Sequence, residues 1–164
     1  MNQVETSIKM IFDRWNASLS NFDKTLNAIS DQQLQNEIAP GKNRGIYILG
    51  HLIAVHDDMI KLLDMGNKMY LDLNDTFIKN PDKAIPVMPS PSELRMQWTA
   101  QCAYLKNKFD SLKPEQWFEK HTAVSTENFV NEPHRNKLNI ILTRTTHLNY
   151  HTGQLVLLQQ SNNE

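Results

Sequence analysis

One cysteine, Cys102, in 164 residues excludes an intramolecular disulfide. That count fits a reducing compartment, and the cytoplasm is the expected location. Basic residues are concentrated nowhere: 17 Lys and Arg stand against 18 Asp and Glu, a formal net charge of −1. Phosphate binding needs a clustered Lys/Arg surface, so nucleic acid is not an expected partner. The same lack argues against a polybasic membrane anchor. No apolar run reaches the ~20 residues of a membrane span. The opening Met-Asn-Gln-Val-Glu-Thr has no basic region leading into an apolar run, so no secretory leader is expected. No stretch alternates with the period of a β-strand. What remains is ordinary globular composition, 40% hydrophobic and 21% charged, in a chain long enough for one domain with a sizeable core.

The apolar residues fall on helical spacing. Val4, Ile8, Ile11, Phe12, Trp15, Leu19, Phe22, Leu26 and Ile29 recur at threes and fours, predicting one long amphipathic helix. Ser30-Asp-Gln-Gln33 then reads as a capping box opening a short helix. A second long helix is expected from an N-cap at Asn43 to about Met65, with Gly66 ending it. Gly45 and Gly50 each cost that helix roughly 1 kcal/mol of intrinsic propensity, which burial must offset. Residues 67–89, with Pro81, Pro86 and Pro89, read as a long crossing. Ser90-Pro-Ser-Glu93 starts a third helix bearing Leu94, Trp98, Cys102, Leu105, Phe109 and Leu112. Lys113-Pro-Glu-Gln-Trp117 suggests another short helix. A second long connection covers about 119–134, a fourth helix about Arg135 to Gln160, and Asn162 to Glu164 a frayed tail. The fold class expected is therefore all-α, a four-helix bundle with long crossings and short helices after the first and third long ones.

A weak internal repeat accompanies this pattern. A shift of 83 residues carries Trp15 onto Trp98, Leu19 onto Cys102, Phe22 onto Leu105, Leu26 onto Phe109 and Ile29 onto Leu112. Gln33 and Leu34 fall on Gln116 and Trp117. Two amphipathic helices sharing a period by chance would give part of this. The paired tryptophans and paired short helices favour two similar halves, with the second and fourth long helices in equivalent places.

Those two helices carry the histidines of interest. His147 and His151 lie four apart, one turn on one helical face. His51 lies within the apolar run Ile46 to Val55. Neutral imidazole is the commonest protein ligand of transition metals, and ligand sites in bundles project inward from facing helices. Taken singly, His51 also reads as a core histidine bonded to a backbone carbonyl, and i, i+4 histidine pairs also occur on solvated faces. A metal-bound imidazole normally donates its other N–H to a polar partner. Helical register offers Tyr47 and Asp58 near His51, and Gln154 near His151 and His147. Asp57 and Asp58 otherwise read as a solvated face beside Lys61. His56, five residues past His51, is expected to turn off that face to a flank or the surface, and His121 and His134 to be solvated. Trp15, Phe22, Trp98, Phe109 and Trp117 read as core, Cys102 as an inert core thiol, and Gly153 as a packing position that could admit a neighbouring helix.

The histidine in Leu49-Gly-His51-Leu52, followed near the C-terminus by His147-x-x-x-His151-x-Gly153-Gln154, resembles the DinB/YfiT-like superfamily. The similarity runs over nearly the whole chain in helix order, long second crossing and C-terminal motif. These are four-helix-bundle proteins first known as DNA-damage-inducible products. The resemblance implies that His51, His147 and His151 are three ligands of one divalent transition metal. Imidazole suits zinc, nickel, iron and copper alike, so the donor set does not select among them. Three protein ligands leave a position for water or substrate, the pattern of a catalytic rather than a structural site. The resemblance also implies two reaction classes: transfer of a low-molecular-weight thiol onto a small electrophile, as in detoxification, and metal-dependent hydrolysis. Thiol transfer is placed slightly ahead. Metal-bound hydroxide or thiolate would supply the reactive group, and no side chain is fixed as general base. The same family pattern implies a homodimer. The competing expectation is a non-catalytic, stress-associated dimeric binding protein whose histidines are structural or vestigial.

Overall fold

The structure, a computed structural model, describes residues 2–159; the expected tail at Asn162 to Glu164 lies outside them. Four long α-helices carry the architecture: α1 (Gln3–Asn27), α3 (Gly45–Leu62), α4 (Pro91–Asp110) and α6 (Lys137–Leu155). Shorter elements are α2 (Asp31–Leu34) and α5 (Thr126–Asn131), a π-helical segment Asp75–Lys79, and 3-10 turns at Pro114–Phe118 and Val156–Leu158. No strand occurs among the described residues, only two isolated bridges. The chain is an all-α bundle in which α1 packs on α6, and α3 packs on α4, α6 and the π-helical segment.

The helix starts follow the capping chemistry. Ser30 accepts the Gln33 N–H while Gln33 reaches back, and Ser90 and Glu93 do the same with Pro91 in the first turn. Asn2 and Glu5 add a third box at the start of α1. Val4, counted with the apolar face, is exposed, because the first turn of α1 overhangs the core.

The central element is α3. It is buried on nearly every face, from Ile46 through Ile60, as a helix apolar all round must be. Its ends differ from expectation. Arg44, not Asn43, is the N-cap and makes no side-chain cap; its guanidinium instead holds Asp82 at 2.7 Å, tying the 67–89 crossing to the start of α3. The helix stops at Leu62 rather than near Met65. Asp64, in the left-handed region at φ 58°, turns the chain, with Met65 N–H bonding Ile60 O and Asp64 N–H bonding Lys61 O. That is a Schellman closure, and aspartate tolerates the left-handed well better than most residues. Gly66 follows, also at positive φ.

Both glycines inside α3 have a steric reason. A Cβ on Gly45 would meet Leu158 Cδ1 at 2.5 Å, and one on Gly50 would meet the Phe77 ring at 2.4 Å. Close approach of Leu158 and Phe77 offsets the lost propensity.

The crossing over 67–89 is not featureless. Asp57, buried in α3, accepts the N–H groups of Met69 and Tyr70, both at 2.9 Å, and Gln101 Nε2 of α4 at 3.2 Å. The expected solvated face thus holds only for its neighbour Asp58, which is half-buried and paired with Lys68. Beyond Tyr70, the crossing enters the π-helical segment and buries Phe77 completely.

The two halves are built alike in detail. After α2, Asn36 O accepts the Gly45 N–H at 3.1 Å, and Glu37 bridges to the cap residue Arg44. Glu119 and Lys120, 83 residues on from Asn36 and Glu37, do the same with the start of α6: Glu119 O accepts the Lys137 N–H at 2.9 Å, and Lys120 bridges to the cap residue Asn136. A shared helical period does not produce matched bridges, so the repeat is structural. The second half differs by carrying α5 in its connection.

Candidate metal centre

The apolar stripe that buries α6, Leu138, Ile141, Thr145, Leu148, Thr152 and Leu155, leaves His147 and His151 at its edge, facing α3. His51 meets them there. Its Nε2 lies 3.3 Å from His147 Nε2, which lies 3.0 Å from His151 Nε2. One nitrogen from each ring falls within 4.8 Å of the other two, and all three residues are half-buried.

The opposite ring edges fix what those nitrogens carry. His51 Nδ1 donates to the Phe77 carbonyl at 2.9 Å. A carbonyl only accepts, so the proton sits on Nδ1 and the Nε2 lone pair faces inward. His151 Nδ1 likewise donates to Gln154 Oε1 at 2.7 Å, and Gln154 is steadied by Tyr150 Oη at 3.2 Å. His147 Nδ1 is buried without a partner among the described residues. Two inward lone pairs thus converge on His147 Nε2. A proton there can serve one of them, whereas a cation between the rings serves all three. Zinc–imidazole bonds of ~2.0–2.1 Å put tetrahedral ligand nitrogens about 3.4 Å apart, close to the spacings found.

Charge agrees with geometry. Burial, then the neighbouring His151 and His51, pushes the His147 pKa down to about 4. Burial also lowers that of His151, with the Gln154 hydrogen bond opposing. Both imidazoles are neutral near pH 7, the form that ligates.

Of the partners expected from helical register, Gln154 reaches its histidine. Tyr47 does not: its hydroxyl donates to Asn80 O at 2.7 Å, and its ring lies parallel to His51 at 6.4 Å. Asp58 is taken up by Lys68 and bonds none of the three imidazoles. The group that orients His51 is a backbone carbonyl in the irregular crossing. Gly50, a bare position beside His51, was its one trace in the sequence. The core reading of His51 holds at Nδ1, which bonds a backbone carbonyl, while Nε2 joins the three-histidine cluster.

Three other expectations are corrected. His56 does turn off the His51 face, but α3 has no solvent side there; the ring is fully buried between Trp15 and Trp98, with centroids at 5.3 and 5.2 Å. His121 is also buried, within the connection that follows the 3-10 turn Pro114–Phe118, while His134 is exposed as expected. Gly153 is exposed and faces open space rather than a neighbouring helix. The aromatic core is as read, with Trp15, Phe22, Trp98, Phe109 and Trp117 all buried. Cys102 is half-buried and its thiol is pushed up to about 12 by burial, so it is unreactive at neutral pH.

His56 has a measurable consequence. Neither ring nitrogen has a partner among the described residues, and burial, followed by the charge of Arg144, pushes its pKa down to about 3. The unfolded value is near 6.5, so the unfolded chain binds a proton that the folded one refuses. The stability held above pH 6.5 is lost as pH falls towards 3. Between pH 7 and pH 5 the loss from this residue is about 2 kcal/mol. Urea unfolding at the two pH values is expected to show a slope that His56→Leu reduces by that amount; equal slopes would contradict a buried neutral imidazole.

Among the described residues no helix is long and apolar enough to cross a membrane. A crystal structure of a conserved protein from Enterococcus faecalis is similar over 98% of this chain and 96% of that one, with a TM-score of 0.62 at 18% identity. At that identity the likeness speaks for the fold. No curated protein matches the chain. The profile of the DinB superfamily matches residues 14–155, a span that contains all four long helices' packed cores and the three clustered histidines, and the chain belongs to that superfamily.

Proposed function

We propose that the protein is a metal-dependent enzyme in which His51, His147 and His151 hold one divalent transition metal, and that it transfers a small thiol onto an electrophile. The observation that carries this reading is the convergence of three imidazole nitrogens whose outer edges are tied to Phe77 O and Gln154. A metal held by three neutral ligands keeps its full charge and supplies Lewis acidity, enough to keep a bound thiol as thiolate or to acidify water.

The residues of the chain supply positioning and dryness. Phe77 O fixes the His51 ring and Gln154 fixes that of His151, so neither ring has to reorient when a ligand arrives. Leu148, next to His147 in α6, and Leu52, next to His51 in α3, are fully buried. Helical hydrolases of the H-E-x-x-H kind set a glutamate beside the metal's water. Among the described residues no carboxylate or thiol joins the three-histidine group. Thiol chemistry has no need of one, because coordination itself removes the thiol proton. Metal-bound water can lose its proton without one as well, so thiol transfer stands ahead of hydrolysis on the family resemblance alone.

The test is elemental analysis of untagged protein, followed by a screen of thiols against several electrophiles and of ester and amide substrates for hydrolysis. About one equivalent of metal per chain, with thiol-dependent turnover lost on chelation, is the expected result. A metal-free protein whose melting temperature ignores added Zn²⁺ and Ni²⁺ would overturn the reading, since binding to the native state must stabilise it.

A further inference from the structure

Arg144 stands one helical turn before His147, and positions three apart share a face of α6. It is half-buried, and its Nε is sealed from solvent with no hydrogen-bond partner among the described residues. Asp58 is the carboxylate whose charge it feels, but Asp58 is ion-paired with Lys68. The charge of Arg144 lowers the pKa of both His56 and His147, in line with its place on the face of α6 that carries His147.

A partly buried guanidinium whose Nε has no partner is costly, and the neighbourhood makes it costlier. The three donors of the cluster are neutral imidazoles, so a bound divalent cation would keep its whole charge next to Arg144. Among the described residues no carboxylate joins the three-histidine group, and Asp58, the one whose charge Arg144 feels, is already paired with Lys68. Two cationic groups on one face, both short of a counter-charge, define a site for a molecule that brings its own. The guanidinium fork matches a planar carboxylate.

We infer that Arg144 binds a carboxylate of the small molecule that occupies the three-histidine centre, so that the substrate class is carboxylate-bearing thiols rather than neutral ones. This rests on the metal-centre reading above and is separable from it by experiment. Cobalt-loaded protein is titrated with mercaptoacetate and 3-mercaptopropionate, with 2-mercaptoethanol as the neutral thiol, and the thiolate-to-cobalt absorption band gives each Kd. Cobalt content is measured for every variant. At least one mercaptocarboxylate is expected to bind the wild type tenfold or more tightly than 2-mercaptoethanol. Arg144→Gln should weaken that thiol to near the neutral one and leave 2-mercaptoethanol and cobalt content unchanged. Arg144→Lys, which keeps charge and stem but not the fork, should fall between, and serves as the readout should the glutamine variant fail to fold.

Equal binding of charged and neutral thiols by the wild type would overturn the inference while leaving the metal centre standing. So would a preference that survives Arg144→Gln, since it would come from chelation by the metal alone. A wild-type protein that takes up no cobalt would sink the metal centre, and this inference with it.

Discussion

Replacing His147 by alanine is expected to abolish stoichiometric metal binding and to leave the helices intact. His147 Nε2 is the atom the other two imidazoles face, at 3.0 and 3.3 Å, so its loss leaves two nitrogens and an open side. His151→Ala removes one ligand and also strands Gln154, whose side-chain oxygen accepts from that ring. Either change should lower affinity more than 100-fold, beyond the 10–100-fold typical of losing a group that only orients a ligand. Gln154→Ala sets that smaller scale within the same protein. The fold should survive, because α6 is anchored by Leu138, Ile141, Leu148 and Leu155 on its buried stripe, while His147 and His151 are only half-buried. Mass-spectrometric metal content after dialysis, with far-UV circular dichroism on the same samples, decides it. Unchanged metal in both histidine variants would place the metal elsewhere or nowhere.

Much of this centre was legible in the sequence because it is written in helical register. The i, i+4 spacing of His147 and His151 sets their shared face whatever surrounds them, and Gln154 follows at i+3 of His151. His51 was legible as an inward residue because it stands in an unbroken apolar run. Capping boxes at Ser30 and Ser90 marked their helices to the residue, since the signal is local chemistry. What failed were inferences that needed to know which helix is central. His56 does turn off the His51 face, but α3 is buried nearly all round and has no outside there. In α3 that side is covered by α1 and α4 through Trp15 and Trp98. Asp57 is buried for the same reason. The carbonyl of Phe77 was invisible because backbone groups leave no mark in a sequence and the 67–89 crossing has no period; only Gly50 recorded its approach.

That crossing is held by Asp57, and Asp57→Ala is expected to be the most destabilising single change away from the apolar core. The carboxylate is fully buried and accepts three N–H groups: Met69 and Tyr70 of the crossing and Gln101 of α4. Truncation leaves these donors facing apolar surroundings, at about 1–3 kcal/mol for each one not rescued by water. A net loss of about 3–5 kcal/mol is expected, which at 2–4 °C per kcal/mol for a chain of this size is a fall of roughly 10 °C in Tm. Asp57→Asn keeps one acceptor oxygen but turns an NH₂ towards a backbone donor, so it should recover only part of the loss. Asp58→Ala, one residue on, removes a partly exposed pair with Lys68 and should cost less than about 1 kcal/mol. The contrast between neighbours separates a buried acceptor from a surface charge. It also reaches the three-histidine cluster, because the chain released at Met69 and Tyr70 leads within a few residues to Phe77, whose carbonyl orients His51. Metal affinity of Asp57→Ala should therefore drop, by up to about tenfold, the low end of the loss when an orienting group is removed, although the residue touches none of the three histidines. Calorimetric unfolding of the metal-free proteins, set beside zinc titrations of the folded ones, measures the two effects separately. An Asp57→Ala protein with wild-type Tm would mean that the crossing is held by Arg44–Asp82 and Phe77 burial alone.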